Sequence, residues 1–349
     1  MFLNPNDIDA LNANVGLDFF TAYNNDFLDP EINDDPYFGI EIISKFHDFE
    51  SLSNSEFVTS SPIYVSVNIQ SLQSKYEQFV LEILELEKSN IQIDVIAIQE
   101  IWDLKHPELF PLPGYKQLIF KQRRGMRGGG VGFYVKNHIN TEVLEVLSPF
   151  ENKIIEALTI RATYPDKKSV LLSCIYRSNG IIPNVTSQQQ IDRFMAKFDE
   201  LLAEIQALNL ESYIFIDSNI DLLSLRHPNA ANYLNLIIEK SFLQGTIKAT
   251  RMQNNSKSLI DHILFNKHCN KFCTGTLISD ISDHFFTFIV PPDRLKNPSF
   301  VHKSVLERNF SAQNLNNFKL DLAGADWTHV LNSREVDDAY DKFWNIYTE

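Results

Sequence analysis

The chain has 349 residues, 45 acidic against 31 basic, for a formal net charge of −14. A hydrophobic share of 44%, with 26 Phe and 12 Tyr, excludes wholesale disorder and suits one large domain or two small ones. Three cysteines cannot build a disulfide framework, no apolar run reaches the roughly 20 residues of a membrane span, and the opening Met1-Phe2-Leu3-Asn4 lacks a signal-peptide pattern; a soluble intracellular protein, nuclear or cytoplasmic and with no membrane partner, is expected.

The charge is uneven. Residues 1–58 hold twelve acids and one base, Lys45, whereas residues 59–290 are nearly neutral. The overall acidity therefore says little about what the middle binds. From Lys116 to Lys136 the chain carries six bases (Lys116, Lys121, Arg123, Arg124, Arg127 and Lys136) and no acid, a local feature suited to a polyanion.

In chain order, residues 1–58 read as an acidic extension spotted with Phe19, Phe20, Phe27, Phe38 and Phe46. Turn signals stand at Asp29-Pro30 and Asp35-Pro36. Such a segment either docks on a partner or stays without fixed structure. The next unit, 59–292, alternates strands and helices. Ile63 to Ile69 is a short apolar run, and Tyr76, Phe79, Val80, Ile83, Leu84 and Leu86 fall mostly on one helical face. Asp94 to Ile98 is a buried strand pattern ending at Gln99-Glu100. Gly130 to Val135 is a strand entered through a glycine run. Ile155–Ile160 and Ser169–Tyr176 pair around Pro165-Asp166. Ile191 to Leu208 steps by three and four as a long amphipathic helix, and Tyr213–Ile216, Leu259–Phe265 and His284–Val290 close the strand series. Residues 293–349 form a separate helical appendage, with Val336, Ala339, Tyr340, Phe343 and Trp344 on one face.

Polar residues interrupt the strands at informative places. Asn68, Glu100, Tyr176, Asp217 and Asn219 each lie at or just past the C-terminal end of one, and Asp261-His262 and Asp283-His284 add two Asp-His pairs. Carboxylates, amides and imidazoles gathered at one rim suit a hard divalent cation and phosphate-ester hydrolysis. By contrast, Cys269-x-x-x-Cys273 with His262 and His268 is too loosely spaced for a zinc site. The glycine run does not open a helix as a phosphate loop must, so a bulge or tight strand entry is the better reading.

The order of these residues resembles the endonuclease/exonuclease/phosphatase superfamily over about residues 62–290. It is most similar to the apurinic-endonuclease-like domain of LINE-type (non-LTR) retrotransposons. The segments that carry the resemblance are Ser66 to Leu72, Ala97 to Trp102, Arg127 to Val135, Cys174 to Arg177, Asp217-Ser218-Asn219, Thr250-Arg251, Ser258 to Ile263 and Ser282-Asp283-His284. The resemblance implies an α/β fold, a four-layer α/β/β/α sandwich of two mixed sheets with outer helices. It implies a Mg2+-dependent phosphodiester hydrolase (Mn2+ a possible substitute) that nicks DNA and leaves a 3′-hydroxyl primer. A reverse transcriptase region in cis, in a longer polyprotein, would use that primer.

Residue by residue, Glu100 would be the main metal ligand with Asn68 nearby. Asp217 would orient or deprotonate the attacking water, and Asn219 would hold Asp217 and the phosphate. His284 would contact the scissile phosphate with Asp261 behind it, Asp283 would complete the network and Tyr176 would donate to the phosphate. Ser258, Ser282 and Arg251 would make supporting substrate contacts, and Arg123, Arg124 and Arg127 would reach backbone phosphates. One departure bears on activity: where the family usually has Gly-Asp-Phe-Asn, this chain has Ile216-Asp217-Ser218-Asn219. Another phosphoesterase on the same fold, or a decayed or domesticated DNA-binding relative, are the alternatives.

Overall fold

A computed structural model describes residues 5–13, 19–23, 35–37, 39–55, 58, 61–125, 127–253, 256–292, 319–320, 322–333 and 335–348. The chain divides into two units, Met1–Lys296 and Asn297–Glu349. The sequence signals at Phe27, Asp29-Pro30 and Phe38, and residues 293–318, lie outside the described residues.

Two large sheets make the first unit. One runs in the order β1 (Glu41–His47), β15 (Lys271–Leu277), β16 (Phe286–Val290), β2 (Ile63–Asn68), β3 (Ile93–Gln99), β5 (Val131–Val135), β4 (Ile119–Lys121). The other runs β11 (Leu243–Gln244), β14 (Asp261–Phe265), β10 (Ser212–Asp217), β9 (Ser169–Tyr176), β8 (Ile155–Thr163), β6 (Asn140–Val143), with β7 (Phe150–Glu151) also on β8. A separate hairpin pairs β12 (Arg251–Gln253) with β13 (Ser256–Ser258). Six helices accompany them among the described residues: α1 (Pro5–Ala13), α2 (Phe19–Ala22), α3 (Phe49–Ser53), α4 (Leu72–Lys88), α5 (Ser187–Ala207) and α6 (Pro228–Glu239).

Side-chain alternation divides the strands between two cores. In β2 and β3, Val65, Val67, Ile96 and Ile98 pack with Phe79 and Ile83 of α4 on one face. Tyr64, Val95 and Ala97 turn the other way, into a core shared with β8, β9 and β10. Rings meet across that interlayer: Tyr64 lies 5.1 Å from Tyr213, and Phe133 lies 6.4 Å from Phe215. Phe194, Phe198 and Tyr233 of α5 and α6 pack on the far side of the second sheet. The result is the expected sandwich, helix on sheet on sheet on helix.

The acidic first stretch is more than an extension. Glu41–His47 pairs in parallel with β15 as an edge strand. The side chain of Asn12 in α1 both donates to the Phe46 carbonyl (3.0 Å) and accepts from its N–H (2.8 Å), so it satisfies backbone groups an edge strand leaves open. Phe19, Tyr23 and Tyr37 join the interlayer core. Among the described residues of this stretch, Phe19, Tyr23, Tyr37 and Phe46 are buried, and Glu41 and Glu50 are exposed. At the predicted Asp35-Pro36 turn, the Tyr37 N–H donates to Asp35 (2.9 Å).

In the second unit, α7 (Thr328–Leu331) and α8 (Val336–Thr348) are helical, and Trp327 stacks on Phe343 at 5.8 Å. No described helix is long and apolar enough to cross a membrane.

Candidate active site

Strand register builds the site. Asp217 pairs with Tyr176 on one side and with Asp261 on the other, and Tyr176 pairs with Glu156. Residues opposite one another in a ladder point to the same face, so Glu156, Tyr176, Asp217 and Asp261 form one polar row across four strands. On the same face of β10, Tyr213 and Phe215 are core residues. The inner face thus changes from apolar to polar at the strand ends. The facing sheet does the same along Tyr64, Ser66 and Asn68, and Asn68 reaches across to the row.

Asn68 is fully buried, and its amide N–H2 donates to both Glu100 Oε1 (2.9 Å) and Asp217 Oδ2 (2.7 Å). Its oxygen accepts from the Gln70 backbone N–H (3.1 Å). Asn68, expected beside the metal, holds two carboxylates together through its N–H2. Glu100, half-buried, also accepts from the Trp102 indole N–H (3.1 Å). Tyr176, expected to donate to the phosphate, lies opposite Asp217 in the ladder, and burial with the charges of Glu100 and Asp217 raises its pKa.

His284 Nδ1 lies 2.9 Å from Asp261 Oδ2, which also accepts from the Thr250 hydroxyl (2.6 Å). Burial disfavours the imidazolium, but Asp261, then Asp217 and Asp283, outweigh it and lift the pKa to about 9. With Nδ1–H on Asp261, Nε2 is the ring's other donor and lies 3.9 Å from Asp283 Oδ1. Asp217 goes the other way: burial, then the charge of Asp261 and that of Glu100, push it up to about 7 despite the pull of His284 and Asn68. Liganding atoms of Asp217, Asp261 and His284 all lie within 4.8 Å of one another, the one such cluster among the described residues. Since His284 and Asp261 already share a hydrogen bond, the oxygens of Glu100 and Asp217, joined through Asn68, are the better place for a hard cation.

Asp283 is clamped. Gln70 donates to Oδ1, and Arg251 Nε donates to Oδ2 (2.7 Å), which holds the carboxyl below its ordinary range despite partial burial. Arg251 and Asp283 thus satisfy each other. Ser282 donates to the Asn68 carbonyl (2.7 Å) and accepts from the His284 N–H (3.1 Å), so it ties the loop before β16 to the end of β2 within one sheet. Ser258 lies opposite Arg251 in the hairpin, and its carbonyl takes the Thr250 N–H (2.8 Å). The Asn219 N–H donates to Asp217 Oδ1 (3.1 Å), and its side chain donates to the Arg177 carbonyl (2.8 Å). The departures beside Asp217 are accommodated. Ile216 lies in regular strand opposite Ile175 and His262, and buried Ser218 donates its N–H to the Ile260 carbonyl (3.0 Å).

The three arginines separate. Arg123 is buried and paired with Glu156, which is wholly buried and also accepts the Gly130 N–H (2.6 Å). Arg123 is therefore a structural partner of Glu156, and the expected phosphate contact is corrected. Arg124 and Arg127 are exposed, and the Arg127 guanidinium sits 4.8 Å from the centre of the Trp102 ring. Sequence reasoning missed Gln70, Trp102, Thr250 and Lys75. Lys75 sits in the first turn of α4; burial lowers its pKa while the charges of Asp283 and Glu100 oppose that. The following of Asn68 by Gln70 and Lys75 in one short run was the available signal.

Backbone strain concentrates here. Gln70 (φ 49°), Ser71 (88°), Glu100 (53°), Trp102 (61°) and Asn219 (50°) all occupy the left-handed region. Each such residue costs on the order of 1–3 kcal/mol and persists where surrounding contacts over-determine it. Glu100 and Trp102 are held because the Trp102 N–H donates to the Gly129 carbonyl (2.9 Å) and the Ile101 N–H to the Gly130 carbonyl (3.4 Å). The glycine run is thus a cradle for the Glu100 turn.

Two facing mixed sheets, with carboxylates, an Asp-His dyad and an amide at their strand ends, define a phosphate-ester hydrolase of the sandwich type. The endonuclease/exonuclease/phosphatase family model matches residues 65–284, and the chain belongs to that family. Family members hydrolyse phosphodiesters or phosphate monoesters and generally use divalent metals. Among solved structures, the mannosyl-6-phosphatase of Bacteroides thetaiotaomicron is similar at 14% identity and TM-score 0.47, covering 66% of this chain and 98% of that one. The catalytic domain of Xenopus laevis APE2 is 17% identical at TM-score 0.46, covering 65% and 90%. The endonuclease domain of TRAS1, a telomere-specific non-LTR retrotransposon, is 10% identical at TM-score 0.46, covering 66% and 97%. No curated protein sequence matches the chain.

Proposed function

We propose that this chain is a Mg2+-dependent endonuclease, with Mn2+ as substitute, that nicks DNA to leave 5′-phosphate and 3′-hydroxyl ends. The observation that carries it is the hydrogen-bonded cluster in which Asn68 joins Glu100 of one sheet to Asp217 of the other, beside the His284–Asp261 dyad. The exposed Arg127, seated on Trp102 beside the Glu100 turn, favours a polyanionic strand over a small phosphate ester. The motif order from Ser66 to His284 supports the non-LTR retrotransposon branch, in which the new 3′-hydroxyl primes a reverse transcriptase carried in cis.

Glu100, beside Asp217, would hold the metal, whose positive charge would neutralise phosphate oxygens and acidify a bound water. The residues do the rest. Asp217, fixed by Asn68 and by the Asn219 N–H, takes the proton from the attacking water. His284 stays cationic at neutral pH and offers Nε2–H to the oxygen on which charge develops, while Asp261 fixes its tautomer. Trp102 and Asn68 hold Glu100 from two sides.

The test is relaxation of supercoiled plasmid with and without EDTA. Glu100→Ala and Asp217→Ala should each cut the nicking rate about a thousandfold while leaving the melting temperature near the parent's. A Glu100→Ala variant that nicks at the parent's rate refutes the assignment. Release of phosphate from inositol phosphates without plasmid nicking would point to a different phosphoesterase.

A further inference from the structure

Glu100 is followed two residues later by a half-buried tryptophan that does three things at once. The Trp102 indole N–H donates to Glu100 Oε2 (3.1 Å). Its backbone, at φ 61°, is hooked to the Gly129 carbonyl (2.9 Å). Its ring carries the Arg127 guanidinium at 4.8 Å. A bulky aromatic residue in the left-handed region is rare, and here it brings the indole back onto the carboxylate of its near neighbour.

The consequences for Glu100 are directional. Oε2 is tied to the indole, whereas Oε1 takes the Asn68 amide and faces the pocket. Among the described residues no carboxylate pairs with exposed Arg127; it is oriented by the ring alone, and its charge remains available to a phosphate. The glycine run supports both halves. A Cβ at Gly130 would lie 2.6 Å from Ile101, and one at Gly129 would lie 2.5 Å from Arg123 and Glu156, so only glycine permits the turn to seat this closely.

We propose that Trp102 is a positioning residue: its indole N–H orients Glu100 for a divalent cation, and its ring aims Arg127 at a backbone phosphate of the substrate strand. One side chain thereby joins the metal ligand to the substrate contact. This rests on the metal reading of Glu100 given above. Hydrogen-bond partners of metal ligands typically change metal affinity or activity by roughly 10–100-fold when removed.

The experiment is calorimetric titration of MnCl2 into the full chain without DNA, alongside steady-state nicking of a DNA duplex. Trp102→Phe keeps the ring and loses the N–H; its Mn2+ dissociation constant should weaken by about 10–100-fold while the KM for DNA at saturating Mn2+ stays near the parent's. Trp102→His, which restores a ring N–H, should regain part of the affinity. Arg127→Ala should bind Mn2+ as the parent does, but show a raised KM for DNA and a salt slope smaller by about one. A Trp102→Phe protein that binds Mn2+ as tightly as the parent overturns the proposal. So do Phe and His variants weakened equally, which would assign the effect to packing. A parent chain that binds no Mn2+ removes the metal reading of Glu100 and this inference with it.

Discussion

Arg123 supplies a direct test of how the basic stretch divides its labour. Its guanidinium is buried against Glu156, which has no exposed surface and whose other oxygen accepts the Gly130 N–H. Burial raises the pKa of Glu156 although Arg123 attracts its charge, so desolvation of the carboxylate exceeds what the pair returns. In Arg123→Ala the carboxylate keeps only the Gly130 N–H as a described partner. Removing one member of a buried pair costs about 3–5 kcal/mol, which in a domain of this size corresponds to a melting-temperature loss of roughly 10 °C. An Arg123→Met/Glu156→Leu double variant, lacking any buried charge, should recover most of that loss. Urea unfolding measures the stabilities, and duplex binding against salt concentration measures phosphate contacts. Arg123→Ala should leave the salt slope unchanged at temperatures where it is folded. An Arg123→Ala protein with parental stability, weaker DNA binding and a slope reduced by about one would refute the argument and return Arg123 to the substrate.

Other consequences are equally concrete. His262 is buried, with Nε2 3.0 Å from the Leu259 carbonyl and Nδ1 3.1 Å from the Tyr233 hydroxyl, and desolvation lowers its pKa to about 4. Between the ordinary value of 6.5 and about 4 the unfolded chain binds a proton that the folded imidazole refuses, so stability is full above that window and falls as pH drops through it, by about 3 kcal/mol. His262→Asn should flatten this part of the urea-midpoint profile; an unchanged profile would refute it. Gly129→Ala, at φ 73° with its Cβ 2.5 Å from Arg123 and Glu156, should unfold the protein at much lower urea. Gly125→Ala, at φ 67° with nothing within 4 Å, should cost only about 1 kcal/mol, and equal losses at the two positions would contradict the cradle. Asn68→Ala removes the shared donor of Glu100 and Asp217 and should lower kcat by roughly 10–100-fold with the KM for DNA little changed; a KM effect alone would place Asn68 against the substrate.

What could be read from the sequence follows from locality. Apolar runs such as Asp94 to Ile98 announce buried strands, and polar residues at their ends announce the rim, so Tyr176, Asp217 and Asp261 were visible before their register was known. The strand Glu41–His47 was obscured because alternation in Glu41-Ile42-Ile43-Ser44-Lys45-Phe46 lies inside a strongly acidic stretch, and its partner β15 is 230 residues away. The helix Pro228–Glu239 went unread beside a turn-like Asp217-Ser218-Asn219 string. Arg123 reads as a surface base because nothing within the basic run hints at Glu156. Asn68 reads as a ligand because residue type does not tell that its N–H2 joins Glu100 to Asp217.

The position of the reacting groups depends on how the two sheets register, and apolar packing alone is a poor guide to register. Val, Leu and Phe in the interlayer can slide against one another at little cost, since burial is non-directional. Polar contacts placed inside that layer remove the freedom. Gln99, buried next to Glu100, donates to the Phe215 carbonyl (3.4 Å) and bonds Ser66 (3.1 Å). At the opposite end, the Tyr64 and Tyr164 hydroxyls meet at 2.8 Å. Misplacing either sheet would strand these groups without partners, at about 1–3 kcal/mol each. Because Gln99 touches the residue two before Asp217 and is bonded through the chain to Glu100, the contact that fixes the sheets also fixes the spacing that Asn68 bridges. The site is therefore a property of the interface between the sheets, which is why its residues are spread from position 68 to position 284 and meet only when both sheets are in place.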